Sequence, residues 1–366
     1  MARGEIEISL LRDEEAGQVN DFYNFVYKES RSLETFRWEF FRAPAGKAIY
    51  VIAKDSVSGE VVGTQCAIPI DLVTADGLVV RTAKSEDTLV HPLYRGLSIF
   101  ERMYALLFEK CKEDGIRYLW GFTSAKKPFS KLGFEIPYDH SQSLMVLDVF
   151  AAYRYLSKLN SKNNFVSLAK IAALSLMSKV LSWKRGFVSG SSTQPAFTLS
   201  QTDKSVVNDV HQLIRQPSTT GFWIRQDAQF LNWRIKENPY HEKVLNVRFS
   251  SETETVSQLI FNHHKNGVWY LIQDTYAASL TDSQKAECLK KGIECLLKTH
   301  RGNVKLIRTW DFAHNMHGQD EIRLRKKLGF VHLDRGISFV WKSLDDSQIL
   351  QAKDFDLSRI ASQGTV

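Results

Sequence analysis

Apolar and polar positions alternate with period two along residues 5–10, and Ile49–Lys54, Val61–Ile70, Leu78–Ala83 and Lys84–Val90 are β-like runs between turns, which predicts strands. Asp13–Tyr27 carries the spacing of a helix, and Thr35–Pro44 is rich in aromatics. After His91-Pro92 the turn Leu93-Tyr94-Arg95-Gly96-Leu97 leads into a second helix. On it Ile99, Met103, Leu106 and Leu107 recur on one face, widened by Phe100, Tyr104 and Cys111. Ser98 and Glu101 have the Ser-x-x-Glu spacing of a capping box, and Gly115 stops the helix. A strand at Ile116–Phe122 and a short helix ending in Lys131-Leu-Gly-Phe134 follow, and a strand at Ser143–Leu147 closes a first unit.

The pattern then changes and afterwards returns. Phe165–Trp183 is helix-like but too polar for a transmembrane span. It is taken as a connecting helix packed between domains, with a helix resting on a membrane surface as the alternative. Gly186–Pro195 is the linker. Beyond it, strands are expected at Val244–Phe249, Val256–Asn262 and Val268–Asp274, and a helix at Asp282–Lys298 capped by Thr281 and Gln284. A strand at Val304–Thr309, a helix ending at Leu328 and a strand at Ile337–Trp341 complete the set. Two markers repeat: Trp38 and Trp233 each precede a proline by six residues, and Lys327-Leu-Gly-Phe330 repeats Lys131-Leu-Gly-Phe134. Trp38 to Gly133 spans 95 positions and Trp233 to Gly329 spans 96. The common spacing and order imply duplication, with Trp38 over Trp233 and Gly133 over Gly329. The expected domains are 1–150, a helical connector and linker at 151–199, a second unit at 200–345 and a tail at 346–366.

Length (366 residues) and a hydrophobic fraction of 43% fit a globular chain of two domains. The net charge of +7 suits an anionic ligand, nucleic acid or a membrane surface, so charge alone does not choose. The four cysteines, Cys66, Cys111, Cys288 and Cys295, form no C-x-x-C pair. Cys288 and Cys295 share a helical pattern and are expected to pack rather than bridge. His263, His264, His314 and His317 lack metal-site spacing, so no metal is expected. The N-terminus shows no signal-peptide pattern, and the expected location is cytoplasmic.

Strand, glycine turn and helix start form a phosphate site in principle: free N–H groups and the positive helix end face the turn, Gly96 allows close approach and Arg95 adds charge. With Lys-Leu-Gly-Phe following at this distance, residues 5–147 resemble the GNAT superfamily of acyl-CoA-dependent N-acyltransferases. Its cofactor motif runs Arg/Gln-x-x-Gly-x-Gly/Ala. Here those positions are Arg95, Gly96, Leu97, Ser98, Ile99 and Phe100, with Ser98 and Phe100 replacing small residues. The resemblance extends over about 200–345 by architecture and the Leu-Gly-Phe end. No Arg-x-x-Gly occurs in Thr275–Gln284, so the second unit resembles a GNAT domain without its cofactor motif.

The resemblance implies an α/β fold of two tandem GNAT-like domains, each a mixed, mostly antiparallel sheet flanked by helices. It implies transfer of an acyl group, foremost acetyl from acetyl-CoA, to an amine-bearing acceptor: a small molecule, amino sugar or peptide. The second unit is expected to help shape the acceptor site. Leu89 and Val90 map to the strand end that faces the thioester, and residues 95–100 to the phosphate site. Glu86, nine residues before Arg95, maps to a position where some members carry the base. Asp87, expected on the opposite strand face, is the second candidate. The family's proton donor is a Tyr four residues before the Gly of Leu-Gly-Phe. Phe129 stands there, leaving Tyr94 and Tyr138 as substitutes. His91 is expected to bond locally. No nucleic-acid partner and no transmembrane segment are expected, and the oligomeric state is open. Two alternatives are an aminoacyl-tRNA-dependent aminoacyltransferase of the peptidoglycan type, disfavoured by the Arg95-Gly96 turn, and a non-catalytic acyl-CoA-binding module.

Overall fold

The structure is a computed structural model and describes residues 4–151, 173, 176, 197–202, 221–240, 243–251, 254–315, 317–334, 336–345 and 349–362. The expected linker at 186–195 and most of the helix at 165–183 lie outside the described residues. The first half contains β1 (Ile6–Leu10), α1 (Ala16–Tyr27), α2 (Leu33–Phe41), β2 (Ile49–Asp55), β3 (Val61–Thr74), β4 (Val79–Val90), α3 (Ile99–Glu113), β5 (Tyr118–Thr123), α4 (Lys126–Lys131) and β6 (Ser141–Val146). β3 is buried along both faces over its first ten residues, as expected of a central strand with a continuous apolar run. α3 buries Ile99, Met103, Tyr104, Leu107 and Cys111 on the stripe read from the sequence.

The second half contains β7 (Phe197–Thr202), β8 (Phe222–Ile224), α5 (Ala228–Leu231, continuing as a π-helical turn Asn232–Lys236), β9 (Val244–Ser251), β10 (Glu254–His263) and β11 (Val268–Tyr276). α6 (Asp282–Thr299), β12 (Leu306–Asp311), α7 (Gly318–Lys327), β13 (Val331–Leu333) and β14 (Ser338–Ser343) complete it. Thr281 and Gln284 form the expected capping box of α6.

Two seven-stranded sheets result, one ordered β1-β2-β3-β4-β5-β14 with β8 on β3, the other β13-β6-β12-β11-β10-β9-β7. β4–β5 and β11–β12 are parallel, and the other neighbouring strands are antiparallel. The sheets exchange strands. β6 does not close the first unit as expected: it lies between β12 and β13 in the second sheet, with Arg308 opposite Leu144. β14 in return lines β5, with Trp341 opposite Trp120. Either sheet offers a strand of this alternation the same apolar faces, so local pattern could not select the partner.

The halves meet reciprocally. Trp38 and Trp233 stack with ring centroids 5.3 Å apart. Each indole N–H donates to the other's backbone carbonyl, at 3.1 and 3.0 Å. Gly133 and Gly329 occupy matching positions after α4 and α7, both with positive φ (76° and 90°). The segment 349–362 runs back over both halves. Phe355 packs edge-on against Trp120, and the Arg234 guanidinium donates to the carbonyls of Ile360 and Ser362.

Candidate active site

β4 and β5 pair from Thr82–Tyr118 to Ser85–Gly121 and then part. Gly121 permits the last rung, because a Cβ there would stand 2.9 Å from the Ser85 carbonyl oxygen. β5 keeps β14 on its other side along its whole length, from Tyr118–Ser343 to Thr123–Ser338. Glu86–Val90 are left without a partner on the β5 side. On the other side, Cys66 pairs with Glu86 and Thr64 with Leu89, so Asp87 and Thr88 together oppose Gln65. This is a β-bulge. Asp87 takes a φ of 52°, and the Thr64 hydroxyl donates to its carbonyl at 2.7 Å.

The bulge corrects the expectation that Glu86 and Asp87 lie on opposite faces. Lys84 forms an ion pair with Glu86, while Asp87 accepts from Tyr50 (2.5 Å) and Arg31 (3.2 Å). Cys66 lies opposite both Tyr50 and Glu86, so Glu86 shares a face with Tyr50 and the Asp87 it bonds, and Lys84, Glu86, Asp87 and Arg31 all act on Glu39. Ser85 and Thr88 face the other way, toward Tyr104.

Past β4 the chain makes the expected turn. The ring of His91 accepts from the Leu93 N–H at 3.2 Å, a local bond, and Tyr94 donates to Asp55 at 2.9 Å. Gly96 has a φ of 84° with open space where a Cβ would stand. The expected capping box at Ser98 is absent: Ser98 is left-handed (φ 52°) and its side chain caps nothing. Consequently the N–H groups of residues 97–101 have no partner among the described residues. A helix start with open donors and an exposed Arg95 beside it suits a phosphate. Phe100 turns away from this turn and packs on Tyr104 and Phe129, with centroids 4.8 and 5.6 Å away.

A cleft of roughly 2160 Å³ runs from the turn along the β4–β5 gap into the space between the halves. Of the residues expected to bind the cofactor, Leu89, Val90, Arg95 and Gly96 border it, as do Ser98, Ile99 and Phe100, whereas Leu97 does not. Glu86 and Asp87 both face it, and Phe129 lies in its wall. Tyr138 lies away from the cleft, stacked on His314. Tyr240, His264, Lys265, Trp310 and the tail residue Ser362 supply the wall from the second half and beyond.

At the inner end sits a buried charge cluster that sequence reasoning missed. The Arg31 guanidinium lies 3.7 Å from the centre of the Tyr23 ring and bonds Asn20 at 2.8 Å. It also faces Asp87 and, at 3.9 Å, Glu39. Burial pushes the Glu39 carboxyl up to about 7, against the pull of Arg31 and with the help of Glu86 and Asp87. Tyr240 donates to Glu39 across the junction of the halves at 3.2 Å. The available signal was a lone acid within the Trp38–Pro44 marker. Among the described residues no group of three or more His, Cys, Asp or Glu is placed to hold a metal ion.

Residues 7–136 match the acetyltransferase (GNAT) domain family. The whole chain superposes on a tandem GNAT protein from the clavulanic acid biosynthesis pathway, with a TM-score of 0.57 at 14% identity, covering 94% of this chain and 100% of that one. The fold is a tandem GNAT fold. A probable N-acyltransferase from Enterococcus faecalis V583 is similar at a TM-score of 0.61 and 12% identity, over 93% of this chain and 73% of that one. A GCN5-related N-acetyltransferase from Anabaena variabilis gives 0.59 and 8%, over the same shares. At these identities the likeness concerns the fold. No curated protein matches the chain.

The second GNAT unit repeats the geometry without the opening. β11 and β12 pair from Val268–Leu306 to Tyr270–Arg308 and part, and β11 carries a bulge at Ile272. Arg325 fills this gap. It binds Asp274 on β11 and Asp311 on β12, each at 2.7 Å, and is almost wholly buried. Ser143 and His332 complete the shell of Asp311 at 2.5 and 2.8 Å. Arg325 stands four residues before Gly329, the position that Phe129 holds relative to Gly133.

Proposed function

We propose that the chain is an N-acyltransferase that moves an acyl group, foremost acetyl, from CoA to an amine. The observation that carries this is the parting of β4 and β5 beside a bulge, ending in a turn of unpartnered N–H groups. These donors, Gly96 and Arg95 would hold the pyrophosphate, and the free edge of Glu86–Val90 would hold the arm. The bound thioester supplies an electrophilic acyl carbon. Glu86, a third exposed and facing the cleft, takes one proton from the acceptor's ammonium, and the free amine then attacks the acyl carbon. The new C–N bond replaces the C–S bond, whose electron pair goes to sulfur, and the second proton lost by nitrogen ends on that sulfur as the thiol. Asp87, locked by Arg31 and Tyr50, holds the bulge and is a positioning residue.

The second half supplies acceptor-side wall, as Tyr240, Trp310 and Lys265 border the cleft. The test is incubation with acetyl-CoA and a panel of amines, read as mass gains of one acetyl group, beside calorimetry with CoA. Binding at one site per chain and acetylation of an amine are expected. Binding without transfer to any amine would leave the chain a binding module, and absence of binding would defeat the reading.

A further inference from the structure

The wall of the β4–β5 gap contains a closed set of hydroxyls that the steps above do not use. Ser85 is the last residue of β4 paired to β5, borders the cleft with its side chain on the face opposite Glu86 and Asp87, and is 6% exposed. The Gln65 side-chain amide donates to its Oγ at 3.0 Å and to the Cys66 carbonyl at 2.9 Å. The Gln65 amide oxygen accepts from the Thr88 hydroxyl, which fixes the orientation of the amide and uses the Thr88 proton. The Tyr104 hydroxyl lies 2.8 Å from Ser85 Oγ.

A serine has one proton to give and two lone pairs to accept with. Gln65 and Tyr104 can occupy both lone pairs. With the Tyr104 proton on Ser85 rather than on Thr88, which Tyr104 also meets, the Ser85 proton is left for the gap. Tyr104 remains a donor, because burial pushes its phenol up from its ordinary value. Phe129, where the family's proton donor stands, is a ring without a proton, packed with its centroid 5.7 Å from that of Tyr104.

With the bulge counted as one step, four rungs of strand separate Val90 from Ser85, about 13 Å, within reach of an extended pantetheine arm that starts at the turn. An arm that starts at the phosphate turn therefore ends at Ser85. We propose that Ser85 is the hydrogen-bond donor to the CoA sulfur, with Gln65 and Tyr104 as its positioning residues, in place of the missing tyrosine. The role rests on the CoA reading above. As the C–S bond breaks and its electron pair moves to sulfur, the Ser85 O–H stabilises the developing thiolate, and Tyr104 completes the shell of Ser85.

The test uses CoA itself and needs no acceptor. The full chain is saturated with CoA and the ultraviolet thiolate band is followed against pH, with the CoA-free protein subtracted. The protein's own thiols are all shifted upward, and subtraction of the CoA-free protein removes their band. Burial pushes Cys111 to about 12, Cys288 to about 11, and Cys66 and Cys295 upward. A donor aimed at the charged form lowers a pKa, so bound CoA is expected to titrate below free CoA. Ser85→Ala raises that titration by about one pH unit, the worth of one hydrogen bond to a charged group. Ser85→Thr restores it and Tyr104→Phe shifts it part-way; by linkage the Ser85→Ala variant loses affinity for the thiolate form of CoA by the same factor of about ten. CoA bound equally well by wild type and Ser85→Ala with the same thiol titration overturns the role of Ser85 alone. No binding of CoA by the wild type overturns the reading beneath it as well.

Discussion

The two gaps of this molecule are built alike and filled differently. In both, parallel neighbours part after three or four rungs, and the strand at the bulge presents a carboxylate. In the first, the residue four before the glycine is Phe129, which stays in the wall and leaves the gap open. In the second it is Arg325, which crosses the gap and joins its two sides through Asp274 and Asp311. One position thus decides whether a split sheet is a cleft or a core. The buried arginine needs both carboxylates, since a buried charge without partners costs several kcal/mol. The turns differ in the same sense: Gly96 and Ser98 leave the donors of α3 open, whereas Thr281 and Gln284 cap α6.

The comparison breaks most directly at the carboxylate of the open gap and at the arginine of the filled one. Glu86→Gln is expected to lower turnover by ~10²–10⁴ while leaving CoA affinity nearly unchanged. Turnover and the CoA dissociation constant decide it, and full activity across the pH range would place the base elsewhere. Arg325→Met is the converse. It leaves Asp274 and Asp311 buried without their cation and should cost about 3–5 kcal/mol by denaturant unfolding. Adding Asp274→Asn and Asp311→Asn recovers part of the loss. Removing the plug creates no second site, because Thr275–Gln284 lacks a glycine turn, and calorimetry should still count one CoA per chain. Two sites in the variant would mean that the plug alone had closed the second unit.

Gly96→Val tests the turn. A branched residue at φ 84° is strained by about 1–2 kcal/mol and covers the approach to the donors, so CoA affinity should fall at least ~10-fold. Unchanged affinity would remove the phosphate site from residues 95–100. The smallest effect concerns Glu39. Unfolded, a glutamate loses its proton near pH 4.3. Folded, Glu39 keeps it to about 7. Between these values the unfolded chain binds fewer protons, so stability falls as pH rises through that window and levels off above it. Glu39→Gln should remove that fall, a few degrees of melting temperature. An identical slope in the variant would show that other groups cause it.

Much of this was legible in the residues, for identifiable reasons. Strands β2, β9, β10 and β11 match their expected bounds to within two residues, because short apolar runs between turn residues, buried on both faces, are a local signal. The Trp38 and Trp233 spacing announced the duplication, and the Arg95-Gly96 turn the site. What escaped depends on partners distant in sequence. β6 and β14 alternate equally well for either sheet. The bulge at Asp87 is set by one residue, Gln65, on a neighbouring strand, and it alone places Asp87 beside Glu86. Ser98 has the spacing of a cap, yet the turn geometry sets its φ. Glu39 and Arg325 each sit at a position the sequence had marked, but their charges acquire meaning only from Arg31, Asp274 and Asp311.

The exchanged strands also dictate an order of assembly. A ribosome releases β6 long before β12 and β13, so the nascent first half carries a strand with no sheet to enter, and the free edge of β5 waits for β14 near the far end of the chain. Edges of this kind invite pairing with other chains, and such distant contacts form slowly. The molecule should therefore behave as one cooperative unit that matures only after synthesis is nearly complete. A fragment ending at residue 150 would present an unsheltered β5 edge and a homeless β6, and is expected to aggregate rather than fold.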